Sequence, residues 1–215
     1  MHDLTQRVHH EEWMDDSSRP DAEFHLAYEE LAVINRYLGG VRATRRFLPP
    51  AGGGILLDVA AGASDIGDVL VRDAGWKVVG VDLNALGLGL ATESMVVVGD
   101  AFELPFEDDS FDVVTASLFF HHLSDEDCVR VFSSMYRVAR KRVIVNDLHR
   151  SAVAWMSIVV LTSLFSRSPM IRNDGPLSVR RAFRPHELAG IARQAGVDAE
   201  VHRSFPYRLV MVADK

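Results

Sequence analysis

The sequence predicts an α/β fold, a doubly wound and mostly parallel sheet behind a helical cap, and three observations predict it. Residues 55–148 alternate five short apolar runs with helical segments. The first run empties into a bend of small residues. The first two runs each finish in an aspartate, Asp58 and Asp82, separated by 82 − 58 = 24 residues, the length of one strand-helix-strand unit.

The organising stretch is Ile55 to Gly67, ILLDVAAGASDIG. Ile55, Leu56 and Leu57 make a buried strand, Asp58 places a carboxylate at its carboxyl end, and Ala60, Ala61, Gly62, Ala63 and Ser64 leave almost no side chain in the bend. Ser64 or Asp65 caps the following helix, which runs to about Asp73 and stops at Gly75. Open parallel sheets bind nucleotide-like ligands where a strand turns tightly into the amino end of a helix. Lys77 to Leu83 is the second strand, and Asp82 at its end is placed to accept hydrogen bonds from both hydroxyls of an adenosine ribose. A turn or helix-cap aspartate explains the same residue type without a ligand. Ser94 to Gly99 leads into Asp100-Ala101-Phe102. Ser110 to Leu118 is the fourth strand, Asp125 to Ala139 a helix capped by Ser124 or Asp125, and Arg142 to Leu148 the fifth strand.

Residues 1–50 read as a helical cap and 51–215 as the main domain. A helix capped by Asp21 carries Phe24, Tyr28, Leu31, Ala32, Ile34 and Leu38 near helical spacing and ends at Gly39-Gly40. Pro49-Pro50 and Gly52-Gly53-Gly54 mark the boundary. Glu12, Asp15, Asn35, Arg36 and Tyr37 are the polar groups this cap offers to a site wall. Beyond the fifth strand, residues 149–184 read as a lid. Ser151 to Phe165 is apolar on most faces, which fits core, a homodimer contact, or a wall offering Trp155, Met156, Val159 and Leu164 to a greasy substrate. Arg167 to Arg184 reads as a loop turning at Asp174-Gly175-Pro176. Its Arg180 and Arg181 would orient an anionic substrate or pair with the acidic cap. Pro185 opens a helix stopped by Gly196, and Asp198 to Arg203 with Tyr207 to Ala213 form an antiparallel hairpin at the sheet edge.

Composition narrows the function classes. The chain has 215 residues, 48% hydrophobic, with 23 Lys plus Arg against 30 Asp plus Glu; the net charge of −7 argues against a nucleic-acid partner. One cysteine, Cys128, excludes an internal disulfide and points to a reducing compartment. The polar amino terminus lacks an apolar targeting core, and the 151–165 stretch is short for a membrane span, so a cytoplasmic protein without stable membrane insertion is expected. No metal is expected.

The pieces LLDVAAG (56–62), VVGVDLN (78–84), GDAFELPFEDDSFDVV (99–114) and SLFFHHL (117–123) together resemble a class I S-adenosylmethionine-dependent methyltransferase, with its Rossmann-like sheet. The resemblance implies that Asp58, Ala60 and the backbone around Gly62 hold the methionine end of the cofactor. It also implies Asp82 with Leu83 at the ribose, Asp100 with the Ala101 and Phe102 backbone at the adenine, and Ser117 beside the reactive methyl. Ala60 and Ser64 stand where the family places glycine, and they serve there only if φ is negative. G-x-G-x-x-G is absent, which disfavours a nicotinamide enzyme.

The LPFEDDSFDVV loop and the His pair resemble quinone-biosynthesis methyltransferases, and VNDLHRS, DGPLSVRRAFRPHEL and FPYRL resemble a bacterial branch of phenolic polyketide, alkylresorcinol-type pathways. The expected activity is O-methylation of a hydrophobic phenol or resorcinol, leaving S-adenosylhomocysteine. C-methylation of a quinone precursor is the near rival, and a non-catalytic partner protein or a membrane-surface protein are the other classes. His121 and His122, with His149 as a third candidate, lie at the carboxyl edge where a base is useful, although hydrogen bonds to loop backbone would also explain them. Asn146 and Asp147 would position substrate or cap the next helix.

Overall fold

In the computed structural model, residues 4–50 and 53–215 are described, so Ala51 and Gly52 of the expected boundary lie outside them. The five apolar runs form parallel strands β1 (Ile55–Val59), β2 (Lys77–Asp82), β3 (Met95–Val98), β4 (Phe111–Ser117) and β5 (Ala139–Leu148). β6 (Glu200–Ser204) and β7 (Arg208–Asp214) pair antiparallel, and β7 also pairs antiparallel with β5. The sheet order is β3-β2-β1-β4-β5-β7-β6, so the chain winds outward one way from β1 and the other way from β4. That reversal opens a crevice at the carboxyl ends of β1 and β4.

The helices are α1 (Asp21–Tyr37), α2 (Gly40–Phe47), α3 (Asp65–Ala74), α4 (Ala85–Leu88), α5 (Asp125–Val138), α6 (Ala152–Phe165), α7 (Pro169–Arg181) and α8 (Pro185–Gln194). Strand alternation sorts the apolar residues onto two faces. Leu57, Val59, Val114, Val143, Val145 and Met211 pack with Val131, Phe132 and Met135 of α5 and Leu188 and Ile191 of α8. Leu56, Val78, Val113, Ile144 and Val210 face the other way, onto Ala43 of α2 and Ile66 and Leu70 of α3. Each fully buried side chain of this kind contributes about 1.5–3 kcal/mol. No helix follows β3, and its four residues are exposed.

Three expectations are corrected. Asp21 is the first helical residue of α1 and Pro20 its cap; the helix stops before Gly39 as expected, and Gly39, at φ +86, also caps a further helix, α2. Arg167 to Arg184 is not a loop: α7 runs through Asp174-Gly175-Pro176. Tertiary contacts override the turn chemistry there. Met170 and Ile171 bury against Phe24, Ala27 and Tyr28 of α1, and the Asp174 carboxylate accepts the amides of Trp13 and Met14 at 2.9 and 3.0 Å. Gly175 lets α6 approach so closely that a Cβ there would lie 3.2 Å from Ile158. The third correction concerns backbone sign: Ala60 and Ser64 both have φ +55, the glycine-type conformation, at a cost of about 1–2 kcal/mol each.

Glu30 of α1 fastens the start of α7. Its Oε1 accepts the amides of Arg167 (2.6 Å) and Ser168 (3.1 Å), and its Oε2 accepts the Ser166 hydroxyl (2.5 Å). Among the described residues no helix is long and apolar enough to cross a membrane.

Candidate functional site

The crevice is a cavity of about 510 Å³, within the usual range for small-molecule sites. Its two halves have different chemistry.

One half is built by the β1–α3 turn and the ends of β2 and β3. Ala60 to Ala63, Asp65, Asp82, Leu83, Asn84 and Gly99 to Phe102 line it. The Asp82 carboxylate accepts the Gly62 amide through Oδ2 and the Asn84 amide through Oδ1, both at 2.8 Å, so it closes the turn as well as facing the cavity. Asp100 Oδ1 accepts the Phe102 amide at 2.9 Å, so that amide is already engaged. Gly62 is at φ +54, and a Cβ there would lie 3.2 Å from the Tyr28 ring, whose hydroxyl accepts Asn84 Nδ2 at 3.2 Å. Burial, with Asp82 nearby, pushes the Tyr28 hydroxyl up to about 12. Of the three expected acids, Asp82 and Asp100 reach the cavity, whereas Asp58 lies behind it, 4% exposed and accepting the Thr115 hydroxyl at 2.7 Å. Burial raises Asp58 to about 7 and also raises Asp65. Beside them stands Arg208 of β7, 2% exposed, which donates to Leu38 O (3.1 Å) and to Asn35 Oδ1 (3.0 Å). Burial pulls its pKa down to about 10, and among the described residues no carboxylate lies within ion-pair distance of it. A buried guanidinium with neutral partners beside the half-buried Asp65 suits an amino acid zwitterion, and Asp82 with the small-residue turn suits a ribose. The residues therefore fit the methionine and adenosyl ends of S-adenosylmethionine.

The other half is apolar, walled by Met14, Leu31, Ile34, Leu118, Phe119 and Ile158, and it ends in Glu12, Asp15, His121 and His122. His121 and His122 form a 3-10 turn after β4 (Phe120–His122). His121 Nδ1 lies 2.7 Å from Asp147 Oδ1, and Asp147 also accepts the His121 amide at 3.0 Å. His122 Nδ1 lies 2.8 Å from Asp15 Oδ1. Their Nε2 atoms stand 3.7 Å from Glu12 Oε1 and 3.8 Å from Glu12 Oε2. Burial lifts Glu12 to about 7 against the pull of His122 and Arg181. For Asp15 and Asp147 burial opposes ionisation, but the paired His122 and His121 outweigh it and hold both carboxyls below the usual range.

Arg181 is a brace here. Only 5% exposed, it donates to the carbonyls of His121 (3.0 Å), His122 (2.8 Å) and His10 (2.8 Å) and to Asp15 (3.1 Å), and it does not line the cavity. Arg180, Trp155 and Met156 do not line it either; Met156 is 53% exposed, and α6 presents Ile158 instead. Ser117 does line it, with its hydroxyl 3.4 Å from that of Thr44. Of the cap residues, Glu12, Asp15 and Asn35 reach the cavity, while Arg36 and Tyr37 do not. Sequence reasoning passed over Arg208, and it placed Glu12 only as one polar group among several. A segment at residues 4–10 reaches these groups because arginines from late in the chain hold it: Arg150 and Arg184 donate to the Leu4 carbonyl, both at 3.1 Å, and Arg150 to that of Thr5 at 3.3 Å.

A family model described as a methyltransferase domain matches residues 56–142. The demethylmenaquinone methyltransferase of Roseiflexus castenholzii is 32% identical over 176 residues, covering 72% of this chain and 72% of that protein. The ubiquinone biosynthesis O-methyltransferase of Ralstonia nicotianae is 28% identical over 169 residues, covering 74% of this chain and 68% of that protein. Among solved structures, a SAM-dependent methyltransferase from Aquifex aeolicus superposes with a TM-score of 0.67 at 16% identity, covering 91% of this chain and 98% of that one, a likeness of fold. Joined to a cavity that suits both ends of the cofactor, these similarities establish that the chain belongs to the S-adenosylmethionine-dependent methyltransferases.

Proposed function

We propose that the enzyme O-methylates a hydrophobic phenol or resorcinol bound in the apolar half of the cavity. The observation that carries this reading is the Glu12–His121–His122 group, its first two members buried and the third half-buried, at the end of an otherwise apolar wall. S-adenosylmethionine supplies a methyl group already activated on a sulfonium and leaves as S-adenosylhomocysteine. Asp65 faces its ammonium with the Asp58 carboxyl behind the cavity wall, Arg208 faces its carboxylate, Asp82 and Leu83 the ribose, and Asp100, Ala101 and Phe102 the adenine. The small side chains of Ala60 and Gly62 leave room for the backbone to approach it, and Ser117 borders the methyl.

Met14, Leu31, Ile34 and Ile158 exclude water and align the acceptor ring, which is where most of the rate gain in such a transfer lies. His121 takes the acceptor proton at Nε2, because Asp147 occupies Nδ1 and fixes the tautomer. His122, oriented by Asp15 in the same way, is the second proton acceptor. Residues 149–184, braced by Arg181 and fastened through Glu30, act as the lid. Arg180 and Arg181 serve it as structure and not as substrate ligands. C-methylation of a quinone precursor is the second reading, favoured by the quinone-pathway names of the relatives.

Incubation with labelled cofactor and a panel of alkylresorcinols, alkylpyrones, flavonoid-like phenols and quinols tests this, with mass assignment of the product. An O-methyl ether from a phenol is expected, and H121N should suppress it without loss of cofactor binding. Products methylated only on carbon would overturn the proposal in favour of the second reading.

A further inference from the structure

We propose that Glu12, His121 and His122 bind one divalent transition-metal ion, with an open coordination position facing the acceptor half of the cavity. Each ring has its Nδ1 taken by a carboxylate, Asp147 for His121 and Asp15 for His122, which turns the Nε2 lone pairs toward Glu12. Carboxylate–histidine pairs of this kind are what orients histidines toward a metal. The three candidate ligand atoms lie within 4.8 Å of one another, and the rings are 4.3 Å apart.

Glu12 Oε1 is a second, independent observation. The residue is 4% exposed, yet this oxygen accepts no hydrogen bond among the described residues. Its neighbours are His121 Nε2 at 3.7 Å and, 3.8 Å away, the Arg181 guanidinium. Oε2 accepts the Ser178 hydroxyl at 3.0 Å. A buried carboxylate oxygen without a hydrogen-bond donor, with two ring Nε2 atoms aimed at the same carboxyl group, is a ligand set that a cation completes.

The dimensions agree. Ligand bonds of about 2.0–2.2 Å set tetrahedral ligand atoms about 3.4 Å apart. His121 Nε2 lies 3.7 Å from the free Oε1, a few tenths of an ångström beyond that, and His122 Nε2 lies 3.8 Å from the other oxygen, so the three ligand atoms, all within 4.8 Å of one another, close onto one ion by side-chain rotation. Asp15, Asp147 and Asp174 surround the group, so anions outnumber the contacting cation. Three protein ligands with an open fourth position is the arrangement of a catalytic ion. An acceptor hydroxyl in that position releases its proton to solvent water and keeps its charge on oxygen beside the metal. That last step rests on the phenol reading; metal binding does not. With the ion bound, Nε2 is committed to it and the metal takes over the activation of the acceptor hydroxyl; the base role of His121 given above is that of the metal-free enzyme.

Metal-stripped protein titrated with Co²⁺ should take up one ion per chain with the intense visible band of a tetrahedral site, and Zn²⁺ should displace it. E12Q should lose the band, and D15N should weaken affinity about 10–100-fold. H9N/H10N, which removes the exposed pair on the neighbouring segment, should keep both. Circular dichroism and calorimetry with S-adenosylmethionine check that each variant is folded. A wild-type protein that binds S-adenosylmethionine but takes up no stoichiometric Co²⁺, or an E12Q variant that binds it equally well, would overturn the inference. One-to-one uptake without phenol turnover would keep the metal site and sink the acceptor assignment.

Discussion

Asp58→Asn should make the protein more stable above neutral pH while weakening its hold on the cofactor. The carboxyl is 4% exposed with the Thr115 hydroxyl as its hydrogen-bond donor, and burial raises its pKa from the ordinary value near 4 to about 7. In the unfolded chain the group ionises near pH 4, but in the folded chain it keeps its proton until about pH 7. Stability therefore falls as pH climbs through that window and stays at the lower level above it. At about 1.4 kcal/mol per unit, three units set a ceiling of about 4 kcal/mol. Relaxation around a buried charge reduces this to about 2 kcal/mol. Asparagine still accepts from Thr115 and removes the ionisation. Urea denaturation of wild type and variant between pH 4.5 and pH 8 should show the variant's advantage growing by about 2 kcal/mol, or about 4–8 °C in Tm for a chain of this size. Calorimetry should show cofactor affinity falling about tenfold, the equivalent of 1.4 kcal/mol. A stability gap that stays constant with pH, or a variant less stable at pH 8, would refute the argument.

Asp82→Ala removes the acceptor of the Gly62 and Asn84 amides together with the proposed ribose contacts. At about 1.5–3 kcal/mol per charge-assisted hydrogen bond, cofactor Kd should rise about 100-fold by calorimetry, and an unchanged affinity would contradict the ribose assignment. Glu30→Ala frees the start of α7 from α1; hydrogen exchange at the Arg167 and Ser168 amides should accelerate and acceptor KM should rise, with cofactor Kd unchanged. Cys128 is fully buried, its thiol pushed up by burial and placed 3.3 Å from the Phe120 carbonyl. It should resist iodoacetamide at pH 8 in the native protein and react on unfolding.

Much of the parallel sheet was legible because its strands are local apolar runs ending in punctuating aspartates and glycines. The polar lining of one half of the cavity was legible for the same reason, since the β1–α3 turn, Asp82 and Asp100 each follow directly from a strand end. What local pattern hid was long-range. Asp-Gly-Pro reads as a turn until Trp13 and Met14 supply donors to Asp174 and Ile158 claims the space over Gly175. Glu12 lies 109 residues from His121 (121 − 12), and no periodicity joins them. Arg181 and Arg208 look alike in sequence; only their partners distinguish a brace for backbone carbonyls from a cation facing a cavity. The glycine-poor turn misled in its sign. Ser64 keeps φ +55, and its hydroxyl stands 2.6 Å from where a Cβ on Gly67 would lie, so its side chain fills room that a glycine leaves open.

The segment held by Arg150, Arg181 and Arg184 has a consequence for how the protein comes into being. Its residues leave the ribosome well before the guanidiniums that fix them, which lie 145 or more residues further along the chain. Glu12 and Asp15 therefore wait for their places until strands β1 to β5 have been made, and only then do the groups that wall the acceptor chamber exist to hold them.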